Sequence, residues 1–565
     1  MSAAAIIAAG VGLIPGTASA APVPVPVGPK ASAPDVDVTK DAESKFKTYK
    51  SPAEKSVRTT LSGAKNKAAA APMAEGATAA NQNLAVVLSA SPTSAHGVSL
   101  DTDIISDPAS LSVSVNWGDG NEDVVAASGA GLLTHKHVYA ELGVYKVTVK
   151  VTDTGSGQVS TNVLEDIATA GSDFIPYTPT RLLDTREGIG AAKGKVPGRG
   201  TTRVKVGGNG NIPLGITAVA LNVTVTNPVS SGYITAYPSG AKERPTSSNV
   251  NFAAGQTVPN MVIVPVGKDG YVELYNGSWN VGDSVDLIAD ITGYFSPKAA
   301  SGYTPMTPAR FVDTREGLGT TKAGQVPARG SFTTQISGLR NVPSGISAVA
   351  LNVTVTGPRS AGFLSVLPGG GSNPSVSNLN FNNGDTIANS VIVPVSNDGK
   401  ITVFNGSWSG ATDVVIDVVG YYSTASSGAY MPMQPKRWLD TREKTDYYYG
   451  ALKGGWFKWV TFSPDPQDDG VTGYVLNATA TNTAGNGFLA VAPDPWSAEA
   501  RRGGWAGDTY PPESSTLNWT KGKTVPNLVQ ASSGENGIVD FFNMSWNEWE
   551  TMDLVVDIFG YYEKN

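Results

Sequence analysis

The feature that most constrains this chain is a six-residue signature that occurs three times. It reads Arg181-Leu182-Leu183-Asp184-Thr185-Arg186, then Arg310-Phe311-Val312-Asp313-Thr314-Arg315, then Arg437-Trp438-Leu439-Asp440-Thr441-Arg442. Its surroundings return with it. Each copy is led in by an aromatic (Phe174, Tyr303, Tyr430) and two prolines, and followed by an Asn inside a Val-rich run (Asn222, Asn352, Asn477). A second Asn (Asn251, Asn380, Asn518) and a third (Asn260, Asn389, Asn527) come next. Asn-x-Ser-Trp then ends at Trp279, Trp408 and Trp546, and Asp-x-x-x-Asp closes each unit (Asp286/Asp290, Asp413/Asp417, Asp553/Asp557) before Gly-aromatic-aromatic. Landmarks in so fixed an order mark three homologous units, 174–295, 303–422 and 430–562. At about 120 residues, each is long enough to bury roughly two-thirds of its unfolded surface.

Within the units the apolar spacing is that of strands. Val219, Leu221, Val223 and Val225 share one face of their run, and Val349, Leu351, Val353 and Val355 do the same in the next copy. The closing runs (285–291, 414–419 and 554–558) are nearly continuous in apolar residues, as in strands covered on both faces. Asp269-Gly270, Asp398-Gly399 and Asn536-Gly537 supply turns. The expected fold class is all-β: tandem antiparallel β-sandwiches behind a disordered N-terminal segment.

The N-terminus points outward from the cell. An apolar run over residues 3–14 precedes Pro15-Gly16 and an Ala18-Ser19-Ala20 cleavage pattern, so residues 1–20 read as a signal peptide whose basic start lies upstream. Residues 21–82, with a Pro-Val repeat and then Lys, Ser and Ala, read as a disordered linker. No segment is long and apolar enough to span a bilayer as a helix. A net charge of −7 argues against nucleic acid, and the absence of cysteine removes disulfides and thiolate chemistry. The expected location is therefore extracellular, free or associated with the cell surface.

Residues 83–170 form a further unit. Trp117-Gly118-Asp119-Gly120, His137-x-Tyr139 and Gly143-x-Tyr145-x-Val147 resemble the pattern of the PKD (polycystic-kidney-disease type) domain. That resemblance implies an immunoglobulin-like sandwich that spaces or positions other domains outside the cell. The three later units resemble the Arg-Leu-Leu-Asp-Thr-Arg repeats of secreted and surface proteins of actinobacteria, which commonly accompany cell-wall or polysaccharide hydrolases. This second resemblance implies location and company more than activity.

Chemistry-bearing residues divide into two sets. Two arginines and an aspartate per signature, with the last Asp of each unit, suit a structural ion-pair network: Arg181, Asp184, Arg186 and Asp290; Arg310, Asp313, Arg315 and Asp417; Arg437, Asp440, Arg442 and Asp557. A carboxylate pair could also serve a glycosidase, but the ion-pair reading accounts better for Asp inside apolar strands. The three histidines, His96, His135 and His137, all precede the repeats, so a Ser–His–Asp site within a repeat is excluded. No cofactor and no metal site is expected.

The third unit departs from the others. It holds eight of the eleven tryptophans, and its segment from Pro493 to Asn518 is about twice as long as the matching segments. Aromatics without counterparts in a Gly-rich polar loop suit stacking on sugar faces. The candidate glycan surface is Tyr447, Tyr448, Trp456, Trp459, Trp496, Arg501, Trp505, Tyr510 and Trp549. The expected function is non-catalytic: binding or adhesion to cell-wall or other polysaccharide. The alternatives are a surface or appendage component assembling through protein contacts, and, less favoured, a polysaccharide hydrolase. Oligomerisation is left open.

Overall fold

The computed structural model describes residues 47–61, 81–372, 376–462, 470–534 and 536–564. The segments expected to be a signal peptide (1–20) and most of the expected linker (21–82) lie outside the described residues. The regular structure of the described residues is almost entirely antiparallel β-sheet. None of its helices is long and apolar enough to cross a membrane.

The first sandwich packs a sheet containing Ala85–Pro92, Gly97–Ile105 and Gly131–Val138 on one containing Gln158–Ala168, Val144–Asp153, Ser110–Asn116 and Glu122–Ser128. The linker expectation fails inside it. Tyr49–Ser51 and Val57–Thr60 are strands, one added to the edge of each sheet. The composition there is polar, but Tyr49 buries its ring and Ser51 Oγ donates to Asn162 Oδ1 at 2.7 Å. Pairing to existing edges supplies the backbone bonds that the short segments lack alone. Trp117 stacks on His137, His137 meets Tyr139 edge to face, Tyr139 stacks on Tyr145, and His137 Nε2 lies 2.8 Å from Asp119. Among the described residues no cluster of His, Asp or Glu is arranged to hold a metal.

Each repeat has an inner and an outer set of four strands, and the inner sets of the second and third repeats join through Tyr303 and Gly428 into one eight-stranded sheet. In the first, Asp173–Asp184, Asp286–Ser296, Ala218–Thr226 and Val258–Pro265 form the inner sheet. Thr201–Lys205, Tyr271–Asn276, Gly232–Pro238 and Val250–Phe252 form the outer one. Between them lies the core of Val219, Leu221, Val223 and Val225, the face expected from the period of two.

The inner sheet has a second buried face, and that face organises the molecule. Ala218, Ala220, Met261 and Ile263 pack not on their own repeat but against Ala348, Ala350 and Ile392 of the second and Val475 and Leu528 of the third. The three repeats therefore close around a pseudo-threefold axis. At one end of this axis the lead-in strands join cyclically: Phe174 bridges to Ser301, Tyr303 to Gly428, and Tyr430 to Ser172. The recurring aromatics meet there in one cluster of Phe174, Phe295, Tyr303, Tyr422, Tyr430 and Tyr562, each at most 1% exposed. Tyr422 and Tyr562 hydroxyls lie 2.9 Å apart, and Gln530 Nε2 donates to both at 2.8 Å.

Farther along the axis three edge strands, Val258–Pro265, Thr386–Pro394 and Val525–Ser532, come together without pairing as a sheet. Their asparagines do the joining. Asn260 Nδ2 donates to Asn477 Oδ1, Asn389 Nδ2 to Asn222 Oδ1, and Asn527 Nδ2 to Asn352 Oδ1, at 2.9–3.0 Å. The Oδ1 atoms of the same three accept the edge N–H groups of Leu528, Met261 and Ser390. Bare strand edges invite further pairing; here a neighbour's amide caps one N–H on each edge.

One substitution tests the ring. Asn527→Ala leaves Asn352 Oδ1, Thr516 O and Ser390 N without their present partners in a buried place. The expected loss is about 3 kcal/mol or more, because each orphaned buried group costs about 1–3 kcal/mol. Urea unfolding of the full chain checks it. An unchanged midpoint would show that the ring contributes little.

Candidate functional site

The signature residues are positioned by the first strand of each inner sheet. Arg181 Nε donates to Asp290 Oδ1 at 2.9 Å, and its Nη1 to Asp184 Oδ2 at 3.1 Å. Arg186 grips Asp184 from the other side, Nε to Oδ1 at 3.0 Å and Nη2 to Oδ2 at 2.7 Å. The same forks join Arg310 to Asp417, Arg315 to Asp313, Arg437 to Asp557 and Arg442 to Asp440. The signature threonine takes the first Asp of the closing pair: Thr185 Oγ1 donates to Asp286, Thr314 to Asp413 and Thr441 to Asp553.

Electrostatics follow the geometry. Hydrogen bonds from Arg186 and Arg315 hold the Asp184 and Asp313 carboxyls below the usual carboxylate range. At Asp440 burial works the other way, but Arg442 overcomes it and the net shift is downward. Burial lifts Asp290, Asp417 and Asp557 above the usual range, with their arginines opposing it. The network also reaches the adjacent repeat. Asp557 Oδ2 accepts from Ser248 N at 3.1 Å, while Asn477 Nδ2 donates to Ser248 O at 2.7 Å. These carboxylates are engaged by arginine, threonine and amide donors, an arrangement suited to joining repeats rather than to proton transfer.

The proposed aromatic surface of the third repeat divides on inspection. Tyr447, Trp456, Trp505, Tyr510 and Trp549 are exposed. Tyr448 is half-buried against the repeat's own core, and Trp459 is half-buried on its strand. Arg501 is engaged inside the insertion. Its guanidinium is clamped on Asp494, Nε to Oδ2 at 2.8 Å and Nη2 to Oδ1 at 3.1 Å. Trp496 is half-buried, with Nε1 donating to Asp508 O at 3.4 Å. Arg501 and Trp496 thus seat the insertion and do not present it. The cause is Asp494, a buried carboxylate whose burial requires a partner.

Beneath the insertion, Asp494 faces Asp540, and both side chains are buried. Burial, then the hydrogen bond and charge of Asp494, pushes the Asp540 carboxyl up to about 8. Thr509 Oγ1 donates to Asp540 Oδ2 at 3.2 Å, tying the insertion to the same acid.

Sequence reasoning missed three further exposed tryptophans. Trp279, Trp408 and Trp546 end the Asn-x-Ser-Trp motif, and their regular recurrence suggests a fold role. They are 79, 83 and 93% exposed. The motif's Asn is the structural part: Asn276 Nδ2 donates to Val196 O and Asp283 O, Asn405 to Val326 O and Gly410 O, and Asn543 to Leu452 O and Glu550 O. The motif's Ser packs where Gly232, Gly362 and Gly487 leave room, since a Cβ at any of them would overlap Ser278, Ser407 or Ser545. The tryptophan is held out into solvent. Arg329 covers one face of Trp408 at 3.8 Å from the ring centre. Trp546 rims a hollow of about 590 Å³ with Phe488, Met544, Trp519 and Thr386 of the second repeat. Trp456 joins this end, since its carbonyl accepts from Asn543 N at 2.9 Å.

The buried diacid gives a pH expectation. Asp540 titrates near 8 when folded and near its ordinary 3.8 when unfolded, so the folded state binds the extra proton. Its stabilising effect is complete below about pH 4 and is lost as pH rises toward 8. Asp540→Asn, which stays neutral, should flatten that decline and raise the melting temperature at pH 8–9 relative to the parent. Melting followed by Trp emission from pH 5 to 9 checks it; parallel curves would contradict it.

No protein-family model and no curated protein matches the chain. Similar solved structures include a carbohydrate-binding module of the β-sandwich superfamily, 17% identical over 38% of this chain and 93% of its own, with a TM-score of 0.14. A tandem pair of CBM22 domains from Paenibacillus barcinonensis is 12% identical over 46% of this chain and 99% of its own, again with a TM-score of 0.14. A triple jelly roll from the turret of an archaeal virus is 10% identical over 70% and 90%, with the same TM-score. These likenesses concern β-sheet architecture and carry no functional argument.

Proposed function

We propose that the protein is an extracellular, non-catalytic polysaccharide-binding protein. The three exposed tryptophans form its binding face, and the N-terminal sandwich serves as a PKD-type spacer. The observation that carries the reading is the equivalence of Trp279, Trp408 and Trp546, each almost wholly solvent-exposed on a rigid loop. An isolated exposed Trp is unremarkable. Three related by one axis amount to a multivalent surface, and flat indole faces suit the C–H faces of sugars. The exposed Trp456 and Trp549 extend it in the third repeat. The arginine-clamped carboxylates support a role other than hydrolysis.

The test is retention on insoluble cellulose, chitin, xylan and cell-wall sacculi. Replacing one tryptophan by Ala should weaken retention roughly 3- to 10-fold, the equivalent of about 0.5–1.5 kcal/mol of aromatic contact. Replacing all three should abolish it, because linked weak contacts multiply. Unfolding should be unaffected, since the rings are exposed. If the triple variant is retained like the parent, the reading fails. If the parent forms oligomers that the triple variant does not, the tryptophans serve assembly.

A further inference from the structure

Between the repeats, at the end of the axis opposite the tyrosine cluster, lies an open vestibule of about 680 Å³, within the size range of small-molecule sites. Its walls are one segment repeated three times: residues 251–256, 382–387 and 518–525. Glycines 255, 384 and 522 stand at its turns with φ of 69°, 77° and 78°, and a Cβ at any of them would meet nothing within 4 Å. The floor is closed. Two residues inward from Val258, Ile387 and Val525, Asn260, Asn389 and Asn527 form the amide ring, each at most 1% exposed.

We infer that this vestibule is a second sugar subsite, one that takes the end of a neutral glycan chain rather than its middle. The inference rests on the polysaccharide-binding reading and specifies where and how a chain is held. Chemistry sets the ligand class. Asn251, Asn518, Gln256 and Thr520 offer amides and hydroxyls that both donate and accept, as diols require. Phe252 and Trp519 supply aromatic edges, and the charges are one acid and one base at matching positions, Asp385 and Lys523. An anionic or cationic ligand would find no net countercharge. Geometry sets the mode. The amide ring closes the floor, so a chain that enters along the axis stops there and cannot thread through, although between the second and third repeats the vestibule shares Thr386, Asn518, Trp519 and Thr520 with the hollow beside Trp546. A terminal pyranose enters along the axis with its hydroxyls pointing outward at all three walls, whereas an internal residue has substituents leaving on two sides.

The full-length protein is titrated with linear malto-, cello-, xylo-, manno- and chitohexaose and with cyclic maltohexaose, which has no ends. Two variants accompany it: Gln256→Arg with Thr520→Arg to fill the exposed rim, and Trp279→Ala with Trp408→Ala and Trp546→Ala to strip the outer face. Asn518→Ala, which removes one wall amide, serves as a second vestibule variant if the arginines impair folding. The expected result is that at least one linear hexasaccharide binds once per chain, keeps its affinity in the tryptophan variant and loses at least tenfold in the vestibule variants. The cyclic compound should not bind in the vestibule. Doubling the length of the bound oligosaccharide should leave affinity per molecule unchanged. Binding indifferent to the vestibule variants, binding of the cyclic compound that they abolish, or affinity that climbs with length overturns the assignment. If no hexasaccharide binds while insoluble polymer is still retained, the vestibule proposal falls and the tryptophan face stands. If nothing is retained by the parent, both fall.

Discussion

The structure depends on amide side chains closing strand edges. A four-stranded inner sheet with an unpaired outer strand is unstable against further pairing, and each repeat has one. Two solutions are familiar: continue the sheet into the neighbour, or cover the edge. Here Asn260, Asn389 and Asn527 each offer Oδ1 to the next strand's N–H and Nδ2 to the next repeat's Asn, so three edges satisfy one another in a ring. Since both atoms of each amide are used, neither Asp nor a hydroxyl residue substitutes for it.

From that ring the other motifs acquire their purpose. The signature arginines neutralise the buried aspartates that stand beside the paired asparagines: Asn222 opposite Asp290, Asn352 opposite Asp417 and Asn477 opposite Asp557. The lead-in and closing aromatics fill the axis at the other end. No repeat buries its inner face alone, so the three repeats form one head and not a string of independent beads, which sets them apart from solenoids whose units contact only sequence neighbours.

Much of this was legible in the sequence and some was not, for physical reasons. Alternation in 219–225 and 349–355 identifies strands and their core face because that face packs locally. The opposite face, Ala218, Ala220 and Asn222, carries no such signal because small and polar residues are ambiguous until a partner is known. The ring was invisible because an Asn signals a turn as readily as a bidentate amide. Trp279, Trp408 and Trp546 give no sign of exposure in the sequence, because regular recurrence fits a buried fold position equally well. Tyr49–Ser51 and Val57–Thr60 were hidden by composition, since edge additions draw their order from the sheet they join. Arg501 looked like a surface group, and only the buried Asp494 explains its place.

Carrying all three units on one polypeptide has a consequence that a trimer of identical chains could not share. In a homotrimer every substitution appears three times, so a residue near the axis must tolerate its own image. Here Phe295 stands where Tyr422 and Tyr562 stand, and Gln530 faces the two hydroxyls while Ile263 and Ile392 occupy its equivalents. Around the vestibule the matching positions are Gln256, Asp385 and Lys523. Tethering frees each copy to drift alone within a shared frame, so the long insertion and the extra indoles could accumulate in one unit while the other two keep the frame closed.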